Sequence, residues 1–342
     1  DIDAGKAMSS AALPKWVAQG PLAEADYVPA FLLLVTGWVV FYAGLALPPL
    51  LPLGLTVVAC GWLAGARALL RSVRDSMSEH KAHAWVVLSA LAAGASGLLL
   101  HAGGLAFDVP GLVRAATEIG LWGYLVPVFF TVTYRMLPFF SGSVVRGYVE
   151  YRSPVLFWGI LAAALSHALA AIFDIGAGRL WPVDLAAALA VFWLAWRWQI
   201  HKVFVSHLLA MHHCAGLWLG MAFFLYALQG AAAFFGLEAA WGGRAPLHAL
   251  TVGYFGSILI GMATRVTLGH SGRLISSDVW AWRLFWCFQL VALLRVGGEW
   301  AGAPGIANPV WLSALGWLLV FAMWNRVHLA MYVKPRPDGR PG

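Results

Sequence analysis

The residues with the most chemistry to offer are histidines set in apolar surroundings. His212 and His213 stand side by side in MHHCAGLWLG, His101 closes GLLLHAGG, His167 lies in ALSHALA, and His248 follows Pro246 in PLHALT. An ionisable ring in such a setting is costly unless it faces a partner, and neutral imidazole is a common metal ligand and the usual axial ligand of haem. Carboxylates such as Asp75, Asp108, Glu150, Asp174 and Glu299 fall near the ends of the apolar runs, and Cys60, Cys214 and Cys287 show no paired spacing. Imidazole without clustered carboxylate or thiolate suits haem or copper better than calcium, magnesium or structural zinc.

His212 is followed at i+4 and i+8 by Gly216 and Gly220, which share its helical face. An imidazole above a glycine groove would let a flat macrocycle approach the backbone. A small-xxx-small helix contact, with the histidines hydrogen-bonding across it, accounts for the same spacing. Two adjacent membrane histidines are hard to satisfy with carbonyls alone, which adds weight to a ligand role. His101 reads either as an interfacial side chain reaching water or as a ligand, and His167 either as a core hydrogen-bonder or as a ligand. His80 and His83 flank Lys81 in a basic loop and read as solvated; His201, His207 and His328 belong to the basic interface.

Two further strings combine such residues with arginine. In PLHALTVGYFGSILIGMATRVTLGHSGR, Pro246 starts a helix, His248 lies one turn on, Arg265 lies near the far end, and Gly269 is expected to break the helix before His270. In YRMLPFFSG, Pro138 is expected to end a helix just after Arg135. Arg135 and Arg265 read as interfacial charges or as clamps for the propionates of a buried macrocycle, since guanidinium pairs naturally with carboxylate. His248 and Arg265 would be roughly 25 Å apart along a helix, too far to share one metal. His248 is therefore expected as an axial or copper ligand towards one face, with Arg265 and His270 in a second feature towards the other.

The elements that must carry these residues follow from composition. Of 342 residues, 61% are apolar and 11% charged, against roughly a quarter charged in soluble domains. The apolar residues come in blocks of bilayer length, at roughly 27–47, 49–71, 83–105, 113–137, 153–174, 179–198, 205–235, 245–268, 280–301 and 307–333. None alternates as barrel strands do, so the expected fold is all-α: a polytopic transmembrane bundle of about ten spans over 27–333. A polar segment, 1–26, precedes it, and a basic tail, 334–342, expected to be disordered, follows. With both termini on one side, that side receives 18 of the 22 Lys and Arg residues and the other receives 4. The positive-inside rule then puts both termini in the cytoplasm.

Several functions are excluded. No phosphate loop or convincing GxGxxG supports nucleotide-driven transport, and no CxxCH supports covalent haem attachment. With 19 Trp and the basic residues set at span ends, the net charge of +7 is not the footprint of a nucleic-acid binder.

At the strings just described the sequence resembles a known family. Residues 246–273 resemble the signature of the NnrS family of bacterial membrane proteins; YRMLPFF is similar to its second string, HHCAGLW (through His213 and Trp218) to a third, and GLLLHAG (through His101) to a fourth. The resemblance implies a multi-pass protein of the bacterial inner membrane that binds haem and copper, meets nitric oxide or a related small gas, and relieves nitrosative stress near denitrification. It implies His101, His213, His248 and His270 as metal ligands, and His212, Arg135 and Arg265 as further cofactor contacts. A membrane electron donor or protein partner is a further expectation. Family members carry about twelve spans and an early His-Glu-Met string that this sequence lacks, so two N-terminal helices are expected to be missing or replaced. Two other classes compete: a haem–copper oxidase-like reductase of nitric oxide or oxygen, and a haem or copper transport or assembly factor. Stoichiometric haem and turnover of nitric oxide separate the three.

Overall fold

Bilayer-length apolar runs satisfy their backbone groups locally only as helices. In the computed structural model, which describes residues 22–237, 242–275, 279–300, 308–337 and 339, there is no strand among the described residues. Ten helices among the described residues are long and apolar enough to cross a membrane. They are α1 (Glu24–Ala43), α2 (Leu50–Asp75), α3 (Ala82–Ala106), α4 (Pro110–Val144), α5 (Pro154–Ile172), α6 (Trp181–Arg197), α7 (His207–Phe234), α8 (Ala245–His270), α9 (Val279–Gly297) and α10 (Pro309–Val333). The segment expected over 1–26 lies outside the described residues as far as 21, and α1 begins within it. Of the tail expected over 334–342, residues 338 and 340–342 also lie outside.

Two expected helix ends are corrected. Pro138 does not stop α4, which continues through it to Val144. A proline inside a membrane helix is tolerated where neighbours re-satisfy the backbone it frees. Gly269 does not break α8 either. The stop comes at Gly272, whose φ of +68° suits a residue without Cβ. There the Arg273 N–H donates to the Leu268 carbonyl at 3.1 Å, closing the helix end. At the start of α10, Asn308 Oδ1 accepts the Val310 N–H at 2.9 Å, with Pro309 in the first turn.

Two spans are not regular α-helix. Ile119–Leu125 of α4 and Ala249–Gly256 of α8 are π-helical, a geometry that occurs mostly as short bulges at functional sites.

The described residues fall into two compact units, one within 22–132 and 164–176 and the other within 133–163 and 177–339. In the first, α1 and α2 make a tight hairpin whose helices touch through glycine. A Cβ at Gly54 would lie 2.5 Å from the Phe41 backbone nitrogen, and one at Gly37 would lie 2.6 Å from that of Val58; such close backbone approach is how membrane helices gain packing without a hydrophobic drive. His167 stacks on Trp122 of the π segment, with centroids 4.1 Å apart and planes 12° from parallel. In the second unit, α7 is the central element. Some 72% of its apolar window is buried, against 11% for α10. Leu208, Met211, Ile260, Phe285 and Phe288 form one core cluster around it, and Phe140, Val203, Leu209 and Ala210 another.

Candidate functional site

Near its N-terminal end α7 carries His212 and His213, both at most 1% exposed. His212 Nδ1 lies 2.6 Å from the carbonyl oxygen of Leu208, one turn back. A carbonyl can only accept, so Nδ1 carries the proton and Nε2 presents its lone pair. That Nε2 is fully buried and has no hydrogen-bond partner among the described residues. An unsatisfied buried acceptor costs about 1–3 kcal/mol. A ring whose Nδ1–H is held by a carbonyl while Nε2 stands bare is also how metal-ligating histidines are usually oriented.

His213 is engaged differently. Its Nε2 is 2.9 Å from Ser141 Oγ, a buried hydrogen bond to α4, and its ring meets Trp198 edge-on at 6.5 Å. The adjacent Phe140 touches His212 edge-on at 5.9 Å. Arg265 of α8 lays its guanidinium 3.7 Å above the opposite partner's ring, that of Phe140, a cation–π contact of the strong, partly desolvated kind. Phe140 and Ser141 thus gather His212 and His213 from one string and Arg265 from another, both far from their own in sequence. Gly261 of α8 completes the wall, since a Cβ there would sit 3.4 Å from His212 Cε1.

The groove expected below His212 is half open. A Cβ on Gly216 would meet nothing within 4 Å, whereas one on Gly220 would lie 2.7 Å from the Phe192 ring. One turn of this helix face is therefore bare, and the next is filled.

The π segment of α8 seats two rings. A Cβ on Gly253 would lie 2.5 Å from Trp218, and one on Gly256 would lie 2.5 Å from Phe288. Trp218 Nε1 donates to Gln289 Oε1 at 2.7 Å, and Gln289 Nε2 donates to Ser257 Oγ at 2.9 Å. Tyr254, fully buried, shares a 2.9 Å hydrogen bond with Thr133. These contacts fix α8 against α4, α7 and α9.

His248 belongs to another environment. Its Nε2 lies 3.5 Å from Glu299 Oε1 in a geometry short of a hydrogen bond. Glu299 accepts from Arg295 Nη1 at 2.6 Å and from the Arg244 backbone N–H at 2.9 Å. Gly243 wraps this carboxylate with a φ of +47°, and a Cβ there would be 2.4 Å from Glu299 Oε2. Burial works to raise the Glu299 pKa, but the Arg244 N–H and the bond and charge of Arg295 outweigh it and hold the carboxyl below its ordinary value.

The remaining expected residues are distributed. His101 is half-buried on α3 in the first unit, Arg135 is half-buried on α4, and its carbonyl accepts from Arg152 Nη2 at 3.4 Å. His270 is the last residue of α8. Among the described residues there is no group of three or more His, Cys, Asp or Glu placed to hold a metal ion. Sequence reasoning missed Phe140, Ser141, Arg295 and Glu299. The first two were inside the quoted YRMLPFFSG string, and the Arg295–Glu299 pair had i,i+4 spacing at a span end.

Compared with known proteins, the chain matches one family model, described as NnrS protein, over residues 10–336. No curated protein and no solved structure matches it.

Proposed function

Since the chain belongs to the NnrS family over nearly its whole length, we propose that it is a haem-binding protein of the nitric oxide response, in which His212 would hold the iron. Membership supports a nitric-oxide-associated membrane protein, and ten candidate spans make it multi-pass. The observation that carries the finer reading is His212 Nε2, buried, deprotonated and without a hydrogen-bond partner among the described residues, with Nδ1 tied to the Leu208 carbonyl. A haem would supply an iron centre able to bind nitric oxide. The protein's own part is to hold the imidazole in one tautomer through Leu208, to exclude water with Phe140, and to offer the Arg265 guanidinium to a propionate.

Among the described residues no three donors gather, and His212 offers one bare nitrogen, which fits haem held through a single histidine better than copper held by several residues. Copper rests on the family resemblance, and relief of nitrosative stress near denitrification and placement in the bacterial inner membrane with cytoplasmic termini belong to the same proposal. Optical spectra of the purified protein, oxidised, reduced and with nitric oxide, together with haem and copper content, test it. His212→Ala should abolish the haem bands while His213→Ala keeps them. Full haem in His212→Ala would overturn the assignment. A reporter fused at the C-terminus should be active only in the cytoplasm.

A further inference from the structure

A second feature of the larger unit lies on α6, away from every residue used so far except Phe192. Leu156, Ala186, Ala190, Phe192, Trp193 and Trp196 line an apolar groove of about 600 Å³. Phe192 is held by its seat on Gly220, where no Cβ would fit, and the Trp193 and Trp196 rings stand 4.9 Å apart. Ala186, Ala190, Trp193 and Arg197 recur on one helical face, so the groove leads to Arg197.

Arg197 is exposed, and its guanidinium lies 4.2 Å from the centre of the Tyr151 ring. It has no carboxylate partner among the described residues. The nearest acid in sequence to that ring, Glu150, is taken by Arg152, and Lys202 stands exposed just beyond the helix. This end of the groove therefore carries uncompensated positive charge. From Ala186 to Arg197 the helix rises roughly 16 Å, close to half of a hydrocarbon core about 30 Å thick. An apolar slot one leaflet deep, ending in a cation flanked by tryptophan, matches one lipid chemistry: an acyl chain below and an anionic headgroup at the interface.

We propose that this groove and Arg197 form a binding site for an anionic phospholipid, with one acyl chain along Ala186–Trp193 and the phosphate at Arg197. The site is independent of the haem reading. Its test is native mass spectrometry of the full chain taken from vesicles of equal dioleoylphosphatidylglycerol and dioleoylphosphatidylethanolamine. The wild type should retain the anionic lipid about fivefold over the zwitterionic one, the discrimination expected from one basic side chain at a membrane surface. Arg197→Gln should bring that ratio close to one, and Arg326→Gln, an exposed arginine on α10, should leave it unchanged. Ala190→Phe and Ala186→Phe should each reduce the retention of both lipids. No preference in the wild type, an undiminished preference in Arg197→Gln, or an equal loss in Arg326→Gln would overturn the site. Haem content is expected to be the same in every one of these variants.

Discussion

The second unit holds two histidines in opposite environments. His248 stands against a carboxylate that is itself held by Arg295 and a backbone N–H, so its ring borders a charged cluster, although its Nε2 makes no hydrogen bond there. His212 sits among Phe140, Met211 and Gly261, with one nitrogen tied to a carbonyl and the other bare. Identical side chains in apolar strings are thus committed to different work by what surrounds them. A ring beside a carboxylate already tied to an arginine has a polar neighbour for its open nitrogen, whereas a bare Nε2 among apolar groups is prepared for a group from outside.

The largest expected effect separates the two directly. His212→Ala should lower haem content at least about tenfold by removing the ligand itself, and His248→Ala, which touches neither His212 nor Phe140, should lower it less than about twofold. Haem assay of the two purified variants checks it, and equal losses would erase the contrast. Next comes the charged cluster. Glu299→Gln leaves Arg295 half-buried without its ionic partner and should destabilise the protein by about 1–3 kcal/mol, read by thermal unfolding in detergent, with the His212 spectrum unchanged.

The same carboxylate sets an acid limb. Because its folded pKa lies below the ordinary value of 4.5, folding favours the ionised form. That contribution is complete above about pH 4.5 and is lost as pH falls through the lower folded value. Stability of the wild type should therefore drop more steeply below pH 4.5 than that of Glu299→Gln, and parallel acid limbs would sink the argument.

Two glycines sharpen the picture of the His212 wall. Gly253→Ala puts a methyl 2.5 Å from Trp218 and should cost about 1–3 kcal/mol through overpacking. Gly261→Ala meets His212 only at 3.4 Å, an ordinary contact, so its stability should hold or rise, by up to about 1 kcal/mol. Denaturation of the two variants side by side reads the difference.

Much of the architecture was legible because bilayer-length apolar blocks leave helices as the available solution. The π segments were not. Over Ala249–Gly256 an α and a π turn differ only in which carbonyl each N–H selects, and a single extra residue leaves no periodicity to read. Pro138 and Gly269 misled for a related reason: local breaking tendencies are modest beside the packing of a whole span. The tautomer of His212 was also hidden, although Leu208 lies only one turn away, because a helical carbonyl becomes an acceptor for a side chain only in one rotamer.

What the sequence determined by itself is the set of ten spans, the membrane setting and the family, together with the histidines and arginines worth watching. All of these depend on composition or on strings read along the chain. Only the tertiary structure decided that Ser141 bonds to His213, that Phe140 stands between His212 and Arg265, and that Glu299 faces His248. Each of those pairings joins helices distant in sequence. Their energies depend on rotamer, burial and a few tenths of an ångström, which no linear pattern encodes.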